Sequence, residues 1–301
     1  DSGLSHAPRR VAGFPCSHNL GLAENQMTAQ TKYEVFRALH ERPGTFVIPN
    51  PWDAGTARIL AAMGYEALAT TSSGYAFSAG LIDSPAVLTR DEILLNAKAI
   101  VEATHLPVSA DLQDGFGRLP SKCVETVRLA AGIGLAGGSI EDATGDEDDP
   151  IYDFTLAVER VAAAAKAAHE CNFFLTARAE NFLHGRMDMK DTIRRLQAFA
   201  EAGADVVYAP GLPSLDDIWQ VCASVAKPVN VLMPMKGATY TVEELTAAGV
   251  KRISVGGAFA RAALGGFMRA AREVKDKGTF HFAAEVIPHA EVSKYMKRSK
   301  K

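Results

Sequence analysis

The chain has 301 residues, 48% of them hydrophobic and 22% charged, an ordinary globular composition with enough length for a large core. Its net charge of -3 gives no electrostatic reason to expect nucleic acid or an anionic membrane as partner. Cys16, Cys123, Cys171 and Cys222 are far apart and form no C-x-x-C pair, which argues for reduced thiols and against a zinc site or a disulfide framework. No apolar run approaches the ~18–20 residues of a membrane span, and the N-terminal segment lacks a signal-peptide pattern. A cytoplasmic location is expected.

In chain order, residues 1 to about 30 show no sustained periodicity and read as a loosely attached or disordered tail, in which Met27 could be a natural start. A helix is predicted over Lys32–Glu41, followed by the β-like run Thr45–Pro49. The loop Asn50-Pro51-Trp52-Asp53 then caps a helix that ends by Gly64. Next come the apolar run Ala67–Thr70, a loop rich in Thr, Ser and Gly, and a helix near Arg90–Ala103. The same unit recurs from Val108 through the runs at Ala136–Ile140, Phe173–Ala177, Asp205–Tyr208, Pro228–Leu232 and Arg252–Val255, each followed by a helical pattern.

Short apolar runs alternating with amphipathic helices imply right-handed βαβ units and a parallel sheet. Eight such units predict an α/β fold closed into a (β/α)8 (TIM) barrel. An open doubly wound sheet is the competing architecture, but no G-x-G-x-x-G follows the first strand. The expected organisation is a tail over 1–30, a barrel over 31–278 and a C-terminal helical extension over 279–301. That extension is more than a barrel needs and is expected to pack on a neighbour or a partner subunit.

In such a barrel the reactive groups lie at the C-terminal ends of the strands. The most informative stretch is P-V-S-A-D-L-Q-D-G-F-G (Pro107–Gly117), where a buried strand delivers Asp111, Gln113 and Asp114 before a glycine turn. Oxygen donors there suit a hard divalent cation, which keeps most of its waters. The plain alternative is that Asp111 caps a turn and Asp114-Gly115 is loop punctuation. Reading the other strand ends adds Asn50 and Asp53, Thr70 to Gly74, Glu141 and Asp142, Arg178 and Glu180, Tyr208, Asn230, and Gly256-Gly257. Asp111 and Glu141 would hold a cation, and the planar fork of Arg178 would bind a carboxylate. Thr71-Ser72-Ser73-Gly74 offers hydroxyls and N–H groups for a carboxylate or oxyanion. Against each stands a structural reading: Glu141 and Asp142 as solvated loop acids, Arg178 as an ion-pair partner of Glu180, the Thr/Ser cluster as turn chemistry, and Gly256-Gly257 as close packing, not a phosphate site.

The set A-D-L-Q-D-G-F-G (Ala110–Gly117), S-I-E-D (Ser139–Asp142), T-A-R-A-E-N (Thr176–Asn181) and A-G-A-D-V-V-Y-A-P (Ala202–Pro210) resembles the isocitrate lyase/phosphoenolpyruvate mutase superfamily. G-Y-E-A-L-A-T-T-S-S-G (Gly64–Gly74) and S-V-G-G-A-F-A-R-A-A (Ser254–Ala263) extend the match. The resemblance implies a Mg2+-dependent barrel, with Mn2+ as a possible substitute. It also implies action on a small 2-oxo or hydroxy carboxylic acid and an eighth helix exchanged between subunits of a homodimer or homotetramer. It further implies a carboxylate-binding loop at Ser72, Ser73 and Gly74, Asp111 as principal metal residue and Asp83 as an acid near the metal waters. Glu141 would be the acid ending the fourth strand, with Arg178 binding substrate and Arg261 as a second arginine. Lyases of the family carry a K-K-C-G-H-type loop after the fourth strand. Here that loop reads A-T-G-D-E-D-D-P-I-Y (Ala143–Tyr152), without the lysine and asparagine of the phosphonate-forming mutases, and Gln113 stands where many members have an acid. What survives is a metal, an arginine and an oxyanion loop, enough to break a bond next to a 2-oxo group, with decarboxylation of an oxaloacetate-like acid favoured. His184 or Tyr208 would serve where a base is needed. P–C bond chemistry, a non-catalytic 2-oxo acid binder and a phosphate-binding barrel are the alternatives.

Overall fold

Strands of two to five residues, too short to stand alone, are held by helices on their outer side. The structure is a computed structural model that describes residues 28–83, 87–235, 237 and 239–297. The tail expected over 1–30 lies outside them for residues 1–27, and so does Met27. In chain order the elements are α1 (Ala29–Glu41), β1 (Phe46–Ile48), α2 (Ala54–Ala62), β2 (Leu68–Ala69), α3 (Ser72–Ser78), α4 (Arg90–Ala103), β3 (Val108–Asp111), α5 (Pro120–Gly132), β4 (Gly137–Glu141), α6 (Phe154–Glu170), β5 (Phe174–Arg178), α7 (Met189–Glu201), β6 (Val206–Tyr208), α8 (Leu215–Ser224), β7 (Val229–Leu232), α9 (Val242–Ala247), β8 (Arg252–Ser254), α10 (Ala258–Lys277), a 3-10 turn (His281–Glu285) and α11 (His289–Met296). The strands pair in parallel in the order β1-β8-β7-β6-β5-β4-β3-β2. The remaining seam is bridged by the Ala69 N–H donating to the Pro49 carbonyl at 3.0 Å, so the sheet is a nearly closed barrel.

The main core lies between strands and helices. Its aliphatic side chains include Leu68, Val108, Val127, Leu175, Leu196, Val207 and Ile253. A smaller aromatic cluster plugs the N-terminal end: Phe36 of α1 meets Phe174 of β5 edge-on at 5.6 Å and His40 at 4.7 Å. The helices begin where sequence chemistry places caps. Asp53 and Thr56 form a capping box at α2, and Thr89 and Glu92 form one at α4.

One element differs from expectation. Thr71–Gly74 is not an open loop: Thr71 caps α3, and Ser72, Ser73 and Gly74 form its first turn. The C-terminal segment packs on a neighbouring element, since α11 returns to α2, where Arg58 Nη1 donates to the Met296 carbonyl at 2.8 Å. By contrast, only Ala260 of the 20 residues of α10 is buried. Among the described residues no helix is long and apolar enough to cross a membrane.

His40 is the titratable group of the plug. Its Nε2 faces Arg252 Nη1 at 3.3 Å, and an arginine can only donate, so Nδ1 carries the proton and donates to the Phe36 carbonyl at 2.8 Å. Burial, reinforced by Arg252, pushes its pKa from 6.5 down to about 2. The unfolded chain therefore binds a proton below 6.5 that the folded chain refuses, so His40 makes stability fall as pH drops from 6.5 toward 2. Denaturant titrations across that range should show His40→Gln reducing the slope by up to one proton, about 1.4 kcal/mol per pH unit. An unchanged slope would contradict the neutral, buried state of this histidine.

Candidate active site

The strand register brings the predicted acids and the arginine together. Asp111 ends β3, Glu141 ends β4 and Arg178 ends β5, and Glu141 pairs directly with Arg178 in the β4–β5 ladder. Arg178 Nη1 lies 3.2 Å from Asp111 Oδ1 and 3.1 Å from Glu141 Oε2, while its Nε donates to Glu180 Oε1 at 2.8 Å. Arg178 thus lines the cavity at the barrel mouth and is also the ion-pair partner of Glu180. Burial opposes the guanidinium's charge, but Glu141, Glu180 and Asp111 more than offset it and hold its pKa well above the usual value. Burial raises the pKa of Glu141 well above the usual carboxylate range, against the pull of Arg178, and Glu180 and Asp111 push it further.

These groups adjoin a cavity of about 220 Å³ at the barrel mouth, lined in part by Thr71, Ser73, Asp83, Asp111, Arg178 and Tyr208. Ser72 Oγ donates to Asp111 Oδ2 at 3.0 Å, so this hydroxyl serves the acid cluster. Asp83 follows α3 at the exposed rim. Partial burial of its carboxyl, then the charge of Asp111, raises its pKa, opposed by a hydrogen bond from Ser72 and by Arg178. Thr71 Oγ1 and Ser73 Oγ lie 3.0 Å apart beside the cavity. Gly74 is a packing residue. A Cβ there would come within 2.7 Å of Thr71 Cγ2 and 2.8 Å of Trp52 Cβ, and its N–H donates to Thr71 Oγ1.

The remaining strand ends separate in the same way. Asp142 is not solvated: it is 2% exposed, accepts from the Glu180 N–H at 2.8 Å and from Arg195 Nη1 at 3.0 Å, and burial raises its pKa to about 6. Asn50 accepts from the Val255 and Gly256 N–H groups at 2.9 Å and donates to the Thr70 carbonyl, tying the mouth together. With the Gly256 N–H so committed, and a Cβ on Gly257 falling 2.2 Å from Ser73 Oγ, Gly256-Gly257 serves close packing. The turn readings also hold: Asp111 Oδ1 accepts from Gln113 N–H, and Asp114 Oδ1 from Phe116 N–H. Arg261 and His184 are exposed and outside the cavity lining. Tyr208 lines it, with Arg178 5.1 Å over its ring, but burial raises its pKa so far that it stays a neutral phenol and no base.

The loop after β4 is anchored at both ends. Ala143 and Ile151 form an antiparallel bridge, and the Tyr152 N–H donates to the Asp142 carbonyl, which leaves Gly145–Asp149 exposed as an acidic tip. Motif reading did not reveal what holds the D-G-F-G turn. Fully buried Arg160 donates to the carbonyls of Asp114, Gly117 and Arg118 and stacks 4.1 Å from the Tyr152 ring centroid, whose hydroxyl donates to Asp114 Oδ2.

The donor set around Arg178 consists only of oxygens, which suits a hard cation. No group of three or more His, Cys, Asp or Glu among the described residues encloses a metal on its own. A cation there would take its other ligands from water or substrate, as Mg2+ commonly does. Four acids, Asp83, Asp111, Glu141 and Glu180, bear on one guanidinium, and after burial, the main cause, the charge of Asp111 also raises the pKa of both Asp83 and Glu141. The residues present fit such an ion.

Comparison with known proteins identifies the family. The family described as phosphoenolpyruvate phosphomutase matches residues 36–275. A solved structure from Burkholderia cenocepacia J2315, assigned only broadly as a lyase/mutase, is 54% identical with a TM-score of 0.87, covering 90% of this chain and 97% of its own. The 2-methylisocitrate lyase of Escherichia coli K12 is 26% identical over 232 residues, 74% of this chain and 78% of its own. A 2,3-dimethylmalate lyase, described as a PEP mutase/isocitrate lyase superfamily member, is 25% identical with a TM-score of 0.79 over 90% of this chain and 95% of its own. The chain belongs to the phosphoenolpyruvate phosphomutase family, within the PEP mutase/isocitrate lyase superfamily of carbon–carbon lyases and phosphomutases.

Proposed function

We propose that the protein is a Mg2+-dependent lyase or decarboxylase that breaks a C–C bond of a small, oxaloacetate-like 2-oxo or hydroxy carboxylic acid. The observation that carries this reading is the convergence of Asp111, Glu141 and Glu180 on Arg178 beside the cavity at the barrel mouth. Asp111 and Glu141 would hold the ion, with Asp83 near its waters, and bound Mg2+ would supply the Lewis acid that a 2-oxo carboxylate needs when electrons flow from the breaking bond to its carbonyl. Arg178 orients the substrate carboxylate, and its own position is set by Glu180, whose backbone is held by Asp142 and Arg195. Thr71 and Ser73 offer hydroxyl hydrogen bonds, and the neutral Tyr208 offers a donor. Decarboxylation suits this set because CO2 leaves without taking a proton. Neither Tyr208 nor the exposed His184 is placed as a base for the hydroxyl in a retro-aldol cleavage.

The exposed face of α10, with Phe259, Leu264, Phe267 and Met268, supports exchange of this helix with a second copy in a homodimer or homotetramer. The family match itself favours a second reading, rearrangement or hydrolysis of a P–C bond.

Incubation with Mg2+ and oxaloacetate, 2-methylisocitrate or dimethylmalate should release pyruvate or another keto product above the spontaneous rate. Asp111→Ala should lower kcat/KM by on the order of 10²–10³-fold. No turnover on any of these acids would count against the reading, and phosphate released from phosphonopyruvate in a 31P NMR assay would favour the second one. Light scattering should give a dimer or tetramer that Phe267→Asp weakens; a monomeric wild type would remove the exchanged helix.

A further inference from the structure

The cavity is lined by a second arginine to which the chemistry above gives no role. Arg252, the first residue of β8, is 5% exposed and lines the same cavity. Its Nε donates to Asn230 Oδ1 at 2.7 Å, its Nη2 to Thr176 Oγ1 at 2.9 Å, and its Nη1 faces His40 Nε2 at 3.3 Å. All three partners are neutral. A guanidinium has five N–H donors, so one on each terminal nitrogen is left over. Among the described residues no carboxylate pairs with it, and the acidic group that bears on its charge is the Tyr208 phenol. Burial lowers its pKa only to about 10, so it remains a cation at neutral pH.

The contrast with Arg178 decides where a second anionic group would go. Arg178 faces three carboxylates within 3.2 Å and has no surplus positive charge, whereas Arg252 has no compensating charge at all. The two lie in one hydrogen-bonded row of the barrel, Arg178↔Tyr208↔Asn230↔Arg252, whose aligned residues project to the same side of the sheet. The cavity therefore has a pole crowded with acids at β3–β5 and a bare cationic pole at β8. A buried charge without a partner is costly, and an anion held against it removes that cost.

We propose that Arg252 is a specificity-determining residue that binds the distal carboxylate of a 2-oxo or 2-hydroxy dicarboxylic acid whose reacting end lies at Arg178. The inference rests on the lyase reading for that reacting end and adds to it the residue that takes the acid's second anionic group. It also explains the Asn230–Ser254 contact. Asn230 Nδ2 donates to Ser254 Oγ at 3.0 Å, which fixes the amide oxygen toward Arg252 and holds the guanidinium in place.

The test is calorimetric binding, with Mg2+, of two pairs of acids that differ only at the far end: 2-oxoglutarate against 2-oxopentanoate, and malate against 2-hydroxybutanoate. Wild type should prefer the dicarboxylate in at least one pair by about 10- to 100-fold, the worth of a charged hydrogen bond. Arg252→Met should bring that ratio near one while leaving the affinity for the monocarboxylate unchanged, and Arg252→Lys should keep part of it. An equal preference in wild type and Arg252→Met overturns the role of Arg252 and leaves the lyase reading intact. A wild-type ratio near one overturns it even if Arg252→Met fails to fold. Absence of binding by all four acids overturns both.

Discussion

One guanidinium held among three carboxylates organises the mouth of this barrel. Arg178 reaches across the ends of β3 and β4 to Asp111 and Glu141 and bends back to Glu180, so three chain segments converge on one point. Buried ion pairs do little for net stability but are expensive to break, because the survivor is left unpaired in a poor solvent for charge. The cluster therefore fixes geometry more than it adds stability. Its surroundings are built to the same end: Arg195 holds Asp142 beneath Glu180, and Arg160 clamps the carbonyls of the D-G-F-G turn. Two arginines on the outer helices α6 and α7 thus hold the turns that follow β3 and β4.

The rest of the interior is polar for a different reason. From Tyr208 through Ser254 and Asn230 to Arg252 and His40, a chain of hydrogen bonds runs from the mouth to the aromatic plug of α1. Each neutral member satisfies a neighbour, and the charge of Arg252 is dispersed over three of them. Such networks make a core specific, since every partner must be in place. Here the network also lines the cavity, so its strands serve both the plug and the site. The closed β4 loop contributes differently. Its acidic tip points outward, and no residue of Ala143–Tyr152 lines the cavity.

Much of this was legible in the sequence, for a physical reason. In a parallel barrel the end of each strand must face one mouth, so Asp111, Glu141 and Arg178 are neighbours as soon as the strands are placed. The pairing of Arg178 with Glu180 follows from their spacing of two along one extended segment. Other features needed three dimensions. Ser72, Ser73 and Gly74 have turn chemistry in isolation, yet they start a helix because Gly74 must pack against Trp52 and Thr71. Arg252 begins a run read only as a strand, and its partners Thr176 and His40 lie 76 and 212 residues away. Arg261 matched a motif, but that match did not say which face of α10 it occupies, and it is exposed. Protonation states are equally hidden: the phenol of Tyr208 and the imidazole of His40 are set by burial among groups from distant segments.

The most direct measurement is Mn2+ binding followed by electron paramagnetic resonance, on wild type, Asp111→Ala and Arg252→Met, without any organic acid present. A single site per chain is expected in wild type and in Arg252→Met, displaced by excess Mg2+ and lost in Asp111→Ala. A wild type that binds no Mn2+, or one whose site is unchanged in Asp111→Ala, would contradict the assignment of the Arg178 cluster as a cation site.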